Sequence, residues 1–352
     1  MGAGLVAGLN GCANLGYYTQ SFTGQLDIIG RQRPIDELLR ADDTEPALKA
    51  KLWSVTHMRD FATRQLALPD NDSYRSYADV ERPYVVWNVF AADEFSTKLK
   101  RWCFPIAGCV SYRGYFKQAA ARAYGNTLRA QGLDVRVAGI AAYSTLGWLQ
   151  DPVLNTVIKR DDIELAGLLF HELAHQVAYV AGDSTFNESF ATAVEIEGLR
   201  RWMAHNSTPE EFTRYQTAKA RDDAFRHLIL SYRGRLDELY ARPLPVAEKR
   251  AAKVQVFEEL RADYARLKAS WGGYASYDRW FADDLNNAKI AAVATYASLV
   301  PAFERLLAEQ GHDLPRFYRA VKALTKLSKE ERYARLGVAD PGVPLMRQAA
   351  RK

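Results

Sequence analysis

The chain has 352 residues, of which 48% are hydrophobic and 25% are charged; this composition is typical of globular proteins and excludes a disordered or fibrous chain. The formal net charge is only +5, which does not indicate a nucleic-acid-binding protein. No run of about 18 consecutive apolar residues occurs, so we expect no helix that spans a membrane.

The first residues of the chain are apolar and lead to a cysteine. The sequence Leu-Asn-Gly-Cys at residues 9–12 resembles the Leu-x-Gly-Cys box of bacterial lipoprotein signal peptides, in which the cysteine is lipidated. On this resemblance, Ala13 implies the outer membrane of a Gram-negative bacterium, with the anchored chain facing the periplasm. The alternative is an unstructured N-terminus in which Cys12 occurs by chance.

Helical and strand patterns alternate over the first 150 residues, and helical patterns dominate the rest. Apolar spacing and start or stop residues predict helices over residues 17–31, 48–66 and 117–131. β-Branched and aromatic residues predict strands over residues 84–90 and 135–146, whereas residues 110–116 fit a strand or a loop. From residue 161 to residue 336 the chain is predicted to be mostly helical, with breaks near residues 207–209, 243–245, 272–273 and 311–315.

Two cysteines lie close together in the middle of the predicted sheet region. Cys103 and Cys109 are separated by a short segment that contains Pro105 and Gly108. Such a segment can turn back on itself, so a short disulfide loop is feasible in an exported protein. Two buried free thiols are the alternative.

A metal-binding motif occupies residues 171–175, with the sequence His-Glu-Leu-Ala-His. Histidines at positions i and i+4 project from one face of a helix, so His171 and His175 can bind the same Zn²⁺ ion. Glu172 follows the first histidine, where a carboxylate can take a proton from water beside the metal. The spacing therefore predicts a catalytic zinc site.

The residues around this motif predict a buried helix. Asp161 and Asp162 supply an N-cap and a first-turn negative charge. Apolar residues then cover most faces up to Gly182, which is predicted to end the helix. Buried histidines need polar partners, and one metal ion would serve both; two core histidines without a metal are the alternative.

A glutamate further along the chain is predicted to complete the zinc site. A catalytic zinc usually has three protein ligands and an open position. Asn187-Glu188 opens a predicted helix over residues 186–199 and resembles the Asn-Glu motif of the gluzincin metallopeptidases, which implies that Glu188 is the third ligand. Glu195 and Glu197 are rivals; Glu195 is predicted to orient a ligand histidine, or else to form a structural ion pair.

Together these motifs resemble the bacterial predicted-aminopeptidase lipoprotein family, whose members are zinc peptidases with an HExxH and Asn-Glu core. The resemblance implies one Zn²⁺ per chain and hydrolysis of peptide bonds from the N-terminus of a peptide. The usual glycine-rich amine-binding motif of the large zinc aminopeptidases does not occur, so the residues leave exo- and endopeptidase specificity open. The resemblance is carried by residues 9–12, 87–89, 102–116, 142–148, 171–176, 187–191 and 286–288.

Four tyrosines and an asparagine are candidates for substrate and transition-state contacts. Tyr296 shares a polar stripe with Asn286 and Lys289 on an otherwise apolar helix, which favours Tyr296 as the oxyanion donor; a core tyrosine is the alternative. Tyr112, Tyr115 and Tyr143 are second candidates and, with Asn286, are predicted to bind substrate. The residues after Tyr143 could form an edge strand that pairs with an extended peptide.

The predicted fold class is α+β and predominantly helical, with a zincin-like small sheet, an active-site helix and a helical C-terminal part. We expect a residual lipoprotein signal at residues 1–12, a helical segment at 13–80, a catalytic core at 81–200 and a helical region at 201–352 that packs on the core. The expected partners are a peptide and, through Cys12, a membrane, but no nucleic acid. A zinc-binding envelope scaffold and a hydrolase of peptidoglycan peptide amides are the alternative functions.

Overall fold

The computed structural model describes residues 4–104, 108–142 and 144–338, with side chains described in these ranges from residue 16 onward, except those of residues 296 and 297. The structure is 62% helical, and its sheets are small. These proportions confirm the predicted α+β class in which helices predominate.

The long helices lie where the sequence predicts them, and each predicted break is present. The first helix, however, begins at Gly4 rather than at residue 17, and a short helix at Ile35–Arg40 matches no predicted element. In the first part of the chain they are α1 (Gly4–Gly30), α2 (Ile35–Arg40), α3 (Pro46–Leu66), α4 (Gln118–Ala130), α5 (Asn155–Ile158), α6 (Asp162–Ala174) and α7 (Ser184–Asn206). The later helices are α8 (Pro209–Ala241), α9 (Val246–Ser270), α10 (Asp278–Ala282), α11 (Asn287–Ala297), α12 (Val300–Glu309), α13 (Leu314–Leu324) and α14 (Lys329–Arg335).

The strands form three small sheets. They are β1 (Arg33–Pro34), β2 (Ser76–Ala78), β3 (Val86–Ala92), β4 (Trp102–Phe104), β5 (Gly108–Val110), β6 (Arg113–Tyr115), β7 (Asp134–Ile140) and β8 (Val153–Leu154). The sheet orders are β1-β2-β8, β6-β3-β7 and β4-β5. Every residue of β3 is buried, as expected for a central strand.

One predicted strand is shorter than expected. The pattern over residues 135–146 predicts a strand throughout, but β7 ends at Ile140. Beyond it, the Thr145 N–H and the Ser144 hydroxyl donate to the Asp151 carboxylate, at 2.9 and 3.3 Å. A backbone N–H that donates to a side chain cannot also donate to a neighbouring strand, and the segment therefore forms a loop.

The chain divides into two compact units that interleave along the sequence. The first unit contains Met1–Val89, Arg113–Gly125 and Val137–Gln176. The second unit contains Phe90–Tyr112, Asn126–Arg136 and Val177–Lys352. The predicted segments at residues 13–80, 81–200 and 201–352 are contiguous in sequence, and that division stays a prediction.

In the first unit, α3 packs against α6. Leu52 and Met58 on α3 are fully buried, and the rings of Phe61 and Phe170 lie 5.9 Å apart. Arg59 is also buried, and its guanidinium donates to the carbonyl oxygens of residues 69, 71 and 73 at 2.6–3.0 Å. These bonds satisfy a buried charge and hold the loop that follows α3.

In the second unit, α8 packs against α9, and α11 packs against both α7 and α8. An aromatic cluster fills the α8 and α9 contact; the rings of Phe225 and Tyr277 stack at 4.3 Å, and those of Tyr264 and Phe281 at 3.9 Å. Such clusters contribute both buried area and ring-pair attraction.

One stretch of the described residues, Asn287–Glu309, meets the length and hydropathy criteria of a membrane span. Half of its most apolar 18-residue window is buried inside the protein. The stretch comprises two helices, α11 and α12, which are separated by a turn at residues 298–299. A core helix of a globular protein satisfies the same criteria.

Candidate functional site

Helix α6 places both motif histidines on one face. The Asp161 side chain accepts the N–H of Glu164 at 2.8 Å, which confirms the predicted N-cap. The helix is apolar and largely buried, as predicted. The rings of His171 and His175 lie 5.0 Å apart between centroids. The i, i+4 spacing therefore brings two imidazoles together.

Helix α6 is shorter than predicted. It ends at Ala174 rather than near Gly182, so His175 is its C-cap. In the second unit, the Asn187 side chain accepts the Val180 N–H at 2.8 Å and donates to the Val180 carbonyl at 2.9 Å. These bonds occupy the backbone groups that a longer helix would need, and Gly182 follows in the left-handed region with φ +84°.

Glu188 supplies a carboxylate to the two histidines. One ligand atom from each of His171, His175 and Glu188 lies within 4.8 Å of the other two. The His175 side chain is buried, and the other two are half-buried. Two imidazoles and one carboxylate are the ligand set of many catalytic zinc sites, and ligands of one zinc ion lie well under about 5 Å apart. These residues fit a divalent metal ion and could hold one.

Glu172, which directly follows His171 in the sequence, is buried, and Asp151 is a second buried carboxyl in the same unit. The two side chains are only 8% and 4% exposed. Burial raises the pKa of the Asp151 carboxyl to about 6, the Glu172 charge adds to the rise, and hydrogen bonds from Thr145 oppose it. No sequence pattern indicates Asp151, because the two carboxyl groups approach each other only when the chain folds.

Helix α7, which carries Glu188, begins at a buried carboxylate. Asp183 is 4% exposed, and its side chain caps the helix by accepting the Phe186 N–H at 3.3 Å. The Arg332 guanidinium donates to the same carboxylate at 2.9 and 3.2 Å, and the Tyr333 hydroxyl donates at 3.0 Å. Both donors lie on α14, about 150 residues away in sequence. The helix carrying Glu188 is therefore positioned by residues that the motif does not include.

The two rival glutamates on α7 face other partners. Glu197 is buried and receives hydrogen bonds from Arg200 at 2.7 Å and Arg201 at 2.8 Å. Although burial raises its pKa, the two arginines outweigh that effect and hold the pKa below its usual range. Glu195 is half-buried. Burial raises the pKa of Tyr215 to about 12, and the negative charge of Glu195 adds to that rise. Its predicted role in orienting a ligand histidine stays a prediction.

The predicted substrate-binding tyrosines differ in their surroundings. Tyr115 is buried in the first unit, where its ring lies 5.5 Å from that of Tyr17 and 5.7 Å from that of Tyr124. Tyr112 is half-buried in the second unit, with its ring 5.9 Å from that of Phe90. Their roles in substrate binding stay predictions.

Two other predicted residues lie outside the described part, and a third caps a helix. Tyr143 and the side chain of Tyr296 are outside the described residues. Asn286 is buried at the start of α11, where its side chain accepts the Lys289 N–H at 3.0 Å and donates to the Val135 carbonyl at 3.2 Å. These bonds use the Asn286 amide to hold α11.

The predicted disulfide is confirmed. Cys103 and Cys109 are bonded and face each other across the β4 and β5 hairpin. Arg101 donates to the carbonyl oxygens of Cys109 at 2.9 Å and Gly182 at 2.6 Å, which ties this hairpin to the segment before α7. The side chain of Cys12 lies outside the described residues.

Comparison with known proteins yields one family. A family model described as "Putative aminopeptidase" matches residues 16–336. This range includes α6, α7 and all three candidate ligands. No curated protein and no solved structure matches the chain.

Proposed function

Because this chain belongs to the family described as putative aminopeptidases, we propose that it is a zinc-dependent aminopeptidase. The observation that carries the metal dependence is the grouping of His171, His175 and Glu188 within 4.8 Å. Since a site that only stabilises a fold needs no proton acceptor, the buried glutamate Glu172, which directly follows His171 in the sequence, favours catalysis over a structural role.

The proposed reaction is hydrolysis of a peptide bond with water as the nucleophile. A zinc ion at such a site acts as a Lewis acid that polarises the scissile carbonyl and lowers the pKa of water. Glu172 accepts one proton as the water oxygen attacks the carbonyl carbon, and it delivers that proton to the amine as the C–N bond breaks. The carboxylate thus begins and ends the cycle ionised.

Other residues are proposed to assist this reaction. Tyr296 is the proposed oxyanion donor, and Tyr143 begins the segment proposed to pair with an extended substrate. Tyr112, Tyr115 and Asn286 are proposed to line the substrate path. For Asn286, its cap of α11 supports a role in positioning the helix that carries Tyr296.

We place the enzyme in the periplasm of a Gram-negative bacterium, anchored by lipid at Cys12 to the outer membrane. The disulfide between Cys103 and Cys109 supports this location, because such bonds persist in oxidising compartments. A Cys12→Ala variant expressed from the full natural precursor should move from the membrane fraction to the soluble periplasmic fraction. Retention of this variant in the membrane fraction would exclude anchoring through Cys12.

The activity is tested by digesting a diverse peptide mixture with the zinc-loaded chain and reading the products by mass spectrometry. Ladders that lose one N-terminal residue at a time are the expected result. Glu172→Gln should lower the rate at least about 100-fold, because general base catalysis contributes that much. The matched control is Glu164→Gln, the same change on the exposed first turn of α6, which should retain the rate.

The other outcomes are equally decisive. Internal cuts that need Glu172 would keep the metallopeptidase and overturn the aminopeptidase. No cleavage of the peptide mixture or of purified peptidoglycan, by a chain that binds one zinc ion, would overturn the enzyme and favour a zinc-binding scaffold. Cleavage of peptidoglycan peptides alone would restrict the substrate to the cell wall.

A further inference from the structure

A buried lysine at the start of α11 lacks a close acceptor. The Lys289 side chain is 3% exposed, and its ammonium nitrogen has no hydrogen-bond partner among the described residues. The carboxylate of Asp283 lies 3.7 Å from this nitrogen, beyond hydrogen-bond distance. The Trp280 ring covers another side, with its centroid 4.9 Å away. An unsatisfied buried ammonium is rare in native proteins and needs an explanation.

The charges around Lys289 are mostly of the same sign. Burial lowers the pKa of the Lys289 ammonium to about 8, and the positive charges of Arg136 and Arg261 lower it further, against Asp283. Burial also lowers the pKa of Arg136, and Asp283 is its opposing charge as well. Lys289 and Arg136 thus share the Asp283 carboxylate, and Arg261, whose guanidinium donates to the Phe281 carbonyl, adds a third positive charge. These three side chains are the cationic cluster.

A second buried lysine in the same unit shows the usual arrangement. The Lys253 ammonium donates to the Asp134 carboxylate at 2.7 Å and to the Glu94 carbonyl at 2.9 Å. This lysine is also buried, although less deeply than Lys289, and its charge and its donors are matched within the protein. Lys253 already has a bonded carboxylate, whereas Lys289 has none. The contrast indicates that the cationic cluster lacks a bound anion.

The carboxylate nearest to the Lys289 ammonium belongs to an exposed side chain. The Asp283 side chain is 76% exposed although its carboxylate is the nearest to the buried ammonium. An exposed carboxylate can swing into water at little cost, and an anion can then approach the ammonium along the same side. The N-terminus of α11 adds a positive partial charge there, since Lys289 lies in its first turn. A water molecule could accept a hydrogen bond but would leave the excess positive charge unbalanced.

We propose that Lys289, Arg136 and Arg261 form a binding site for a small oxyanion, of the phosphate or carboxylate class, which replaces Asp283 as the counter-charge. Ammonium and guanidinium groups both donate charge-assisted hydrogen bonds to such oxygens. The site is independent of the metal ligands and of the proposed peptidase activity.

The test measures binding of inorganic phosphate to the metal-free chain by thermal unfolding, with sodium chloride at equal ionic strength as the reference. The expected result is a saturable rise in Tm with phosphate. Lys289→Met should weaken phosphate binding at least about 10-fold, because it removes a charged donor. Asp283→Asn should strengthen binding, because it removes the competing carboxylate.

The control is Lys326→Met, which removes the same charge from an exposed position on the same unit and should leave phosphate binding unchanged. If Lys289→Met does not fold, the increase in affinity with Asp283→Asn and a loss with Arg136→Gln decide the matter. Succinate in place of phosphate separates the two ligand classes, since the native ligand class should bind more tightly.

Three results would overturn the proposal. The first is a Tm response to phosphate and succinate no larger than that to chloride. The second is an equal response in Lys289→Met and the unmodified chain. The third is a weaker response in Asp283→Asn, which would show that the carboxylate supports the site rather than competes for it.

Discussion

Helices α6 and α7 carry or end at the three candidate ligands. Residues close in sequence position α6, whereas residues far along the chain position α7. The two histidines of α6 are brought together by one helical turn, and its cap residue, Asp161, precedes the helix directly. The cap residue of α7, Asp183, is held by Arg332 and Tyr333 from the far end of the chain. A pair of ligands can be local, whereas the third depends on long-range packing.

This difference explains why short motifs identify zinc peptidases incompletely. Spacing along a helix determines which side chains share a face, and no tertiary contact is needed. Spacing between helices depends on what anchors each one, and at α7 the anchor is a buried ion pair with both side chains 4% exposed. The predictions below test whether the two helices really differ in this way.

The largest expected effect is loss of metal affinity on removal of the α7 ligand. Glu188→Gln should weaken zinc binding by more than about 100-fold, because changes to groups behind the ligands alone cost 10–100-fold. Competition with a chelator measures this affinity. Glu238→Gln, the same change at an exposed position on α8, should bind zinc as the unmodified chain does. Equal affinity in the two variants would remove Glu188 from the ligand set.

Among the changes in folding stability, removal of the Arg332 side chain that holds the start of α7 should cause the largest loss. Arg332→Met leaves the Asp183 carboxylate buried with the Tyr333 hydroxyl and the Phe186 N–H as its remaining donors, and should lower the free energy of unfolding by about 3–5 kcal/mol. Urea unfolding measures the change. Arg335→Met, on an exposed position of the same helix, is the control and should alter stability little. Similar midpoints for both variants would show that α7 does not depend on this pair.

The buried carboxyl beside Glu172 predicts a pH effect in the first unit. The pKa of Asp151 is raised to about 6 in the folded chain, against 3.8 for an ordinary carboxyl, so the folded state binds this proton more tightly. Its contribution to the free energy of unfolding therefore falls as pH rises from about 4 to 6, by about 3 kcal/mol at about 1.4 kcal/mol per pKa unit.

Asp151→Asn tests this prediction in the metal-free chain, because the asparagine keeps an acceptor for the Thr145 N–H but does not titrate. Urea unfolding at pH 4, 5, 6 and 7 should show a shallower loss of stability with rising pH in the variant. The control is Asp79→Asn, a change in the same unit at an exposed carboxyl. Identical pH profiles for Asp151→Asn and the unmodified chain would contradict the raised pKa.

The smallest expected effect is at the local cap of α6. Asp161→Ala removes the acceptor for the Glu164 N–H and should lower the free energy of unfolding by about 1 kcal/mol. Asp161→Asn keeps an acceptor and should restore most of it. Thermal or urea unfolding of the pair measures both. If Asp161→Ala lowered the free energy of unfolding more than Arg332→Met does, the contrast between the two helices would be reversed.

Much of the fold and part of the site follow from sequence patterns. Periodicity and caps predict α3, α4 and α6, and proline or glycine marks the breaks between the later helices, because these signals act within a few residues. The same reasoning extended α6 to Gly182 and β7 to residue 146. Both segments end early because the side chains of Asp151 and Asn187 accept backbone N–H groups six and seven residues before them, a bonding pattern that apolar periodicity does not reveal.

By itself, the sequence determined the candidate site residues of this protein: two histidines one turn apart, an adjacent glutamate and a nearby Asn-Glu pair. These depend only on residue type and helical spacing. The tertiary structure alone decided that ligand atoms of His171, His175 and Glu188 lie within 4.8 Å of one another, that the Glu172 charge acts on Asp151, and that Lys289 is buried with too few acceptors. Burial and charge environment belong to the packed chain, because each depends on residues that meet only when distant segments fold together.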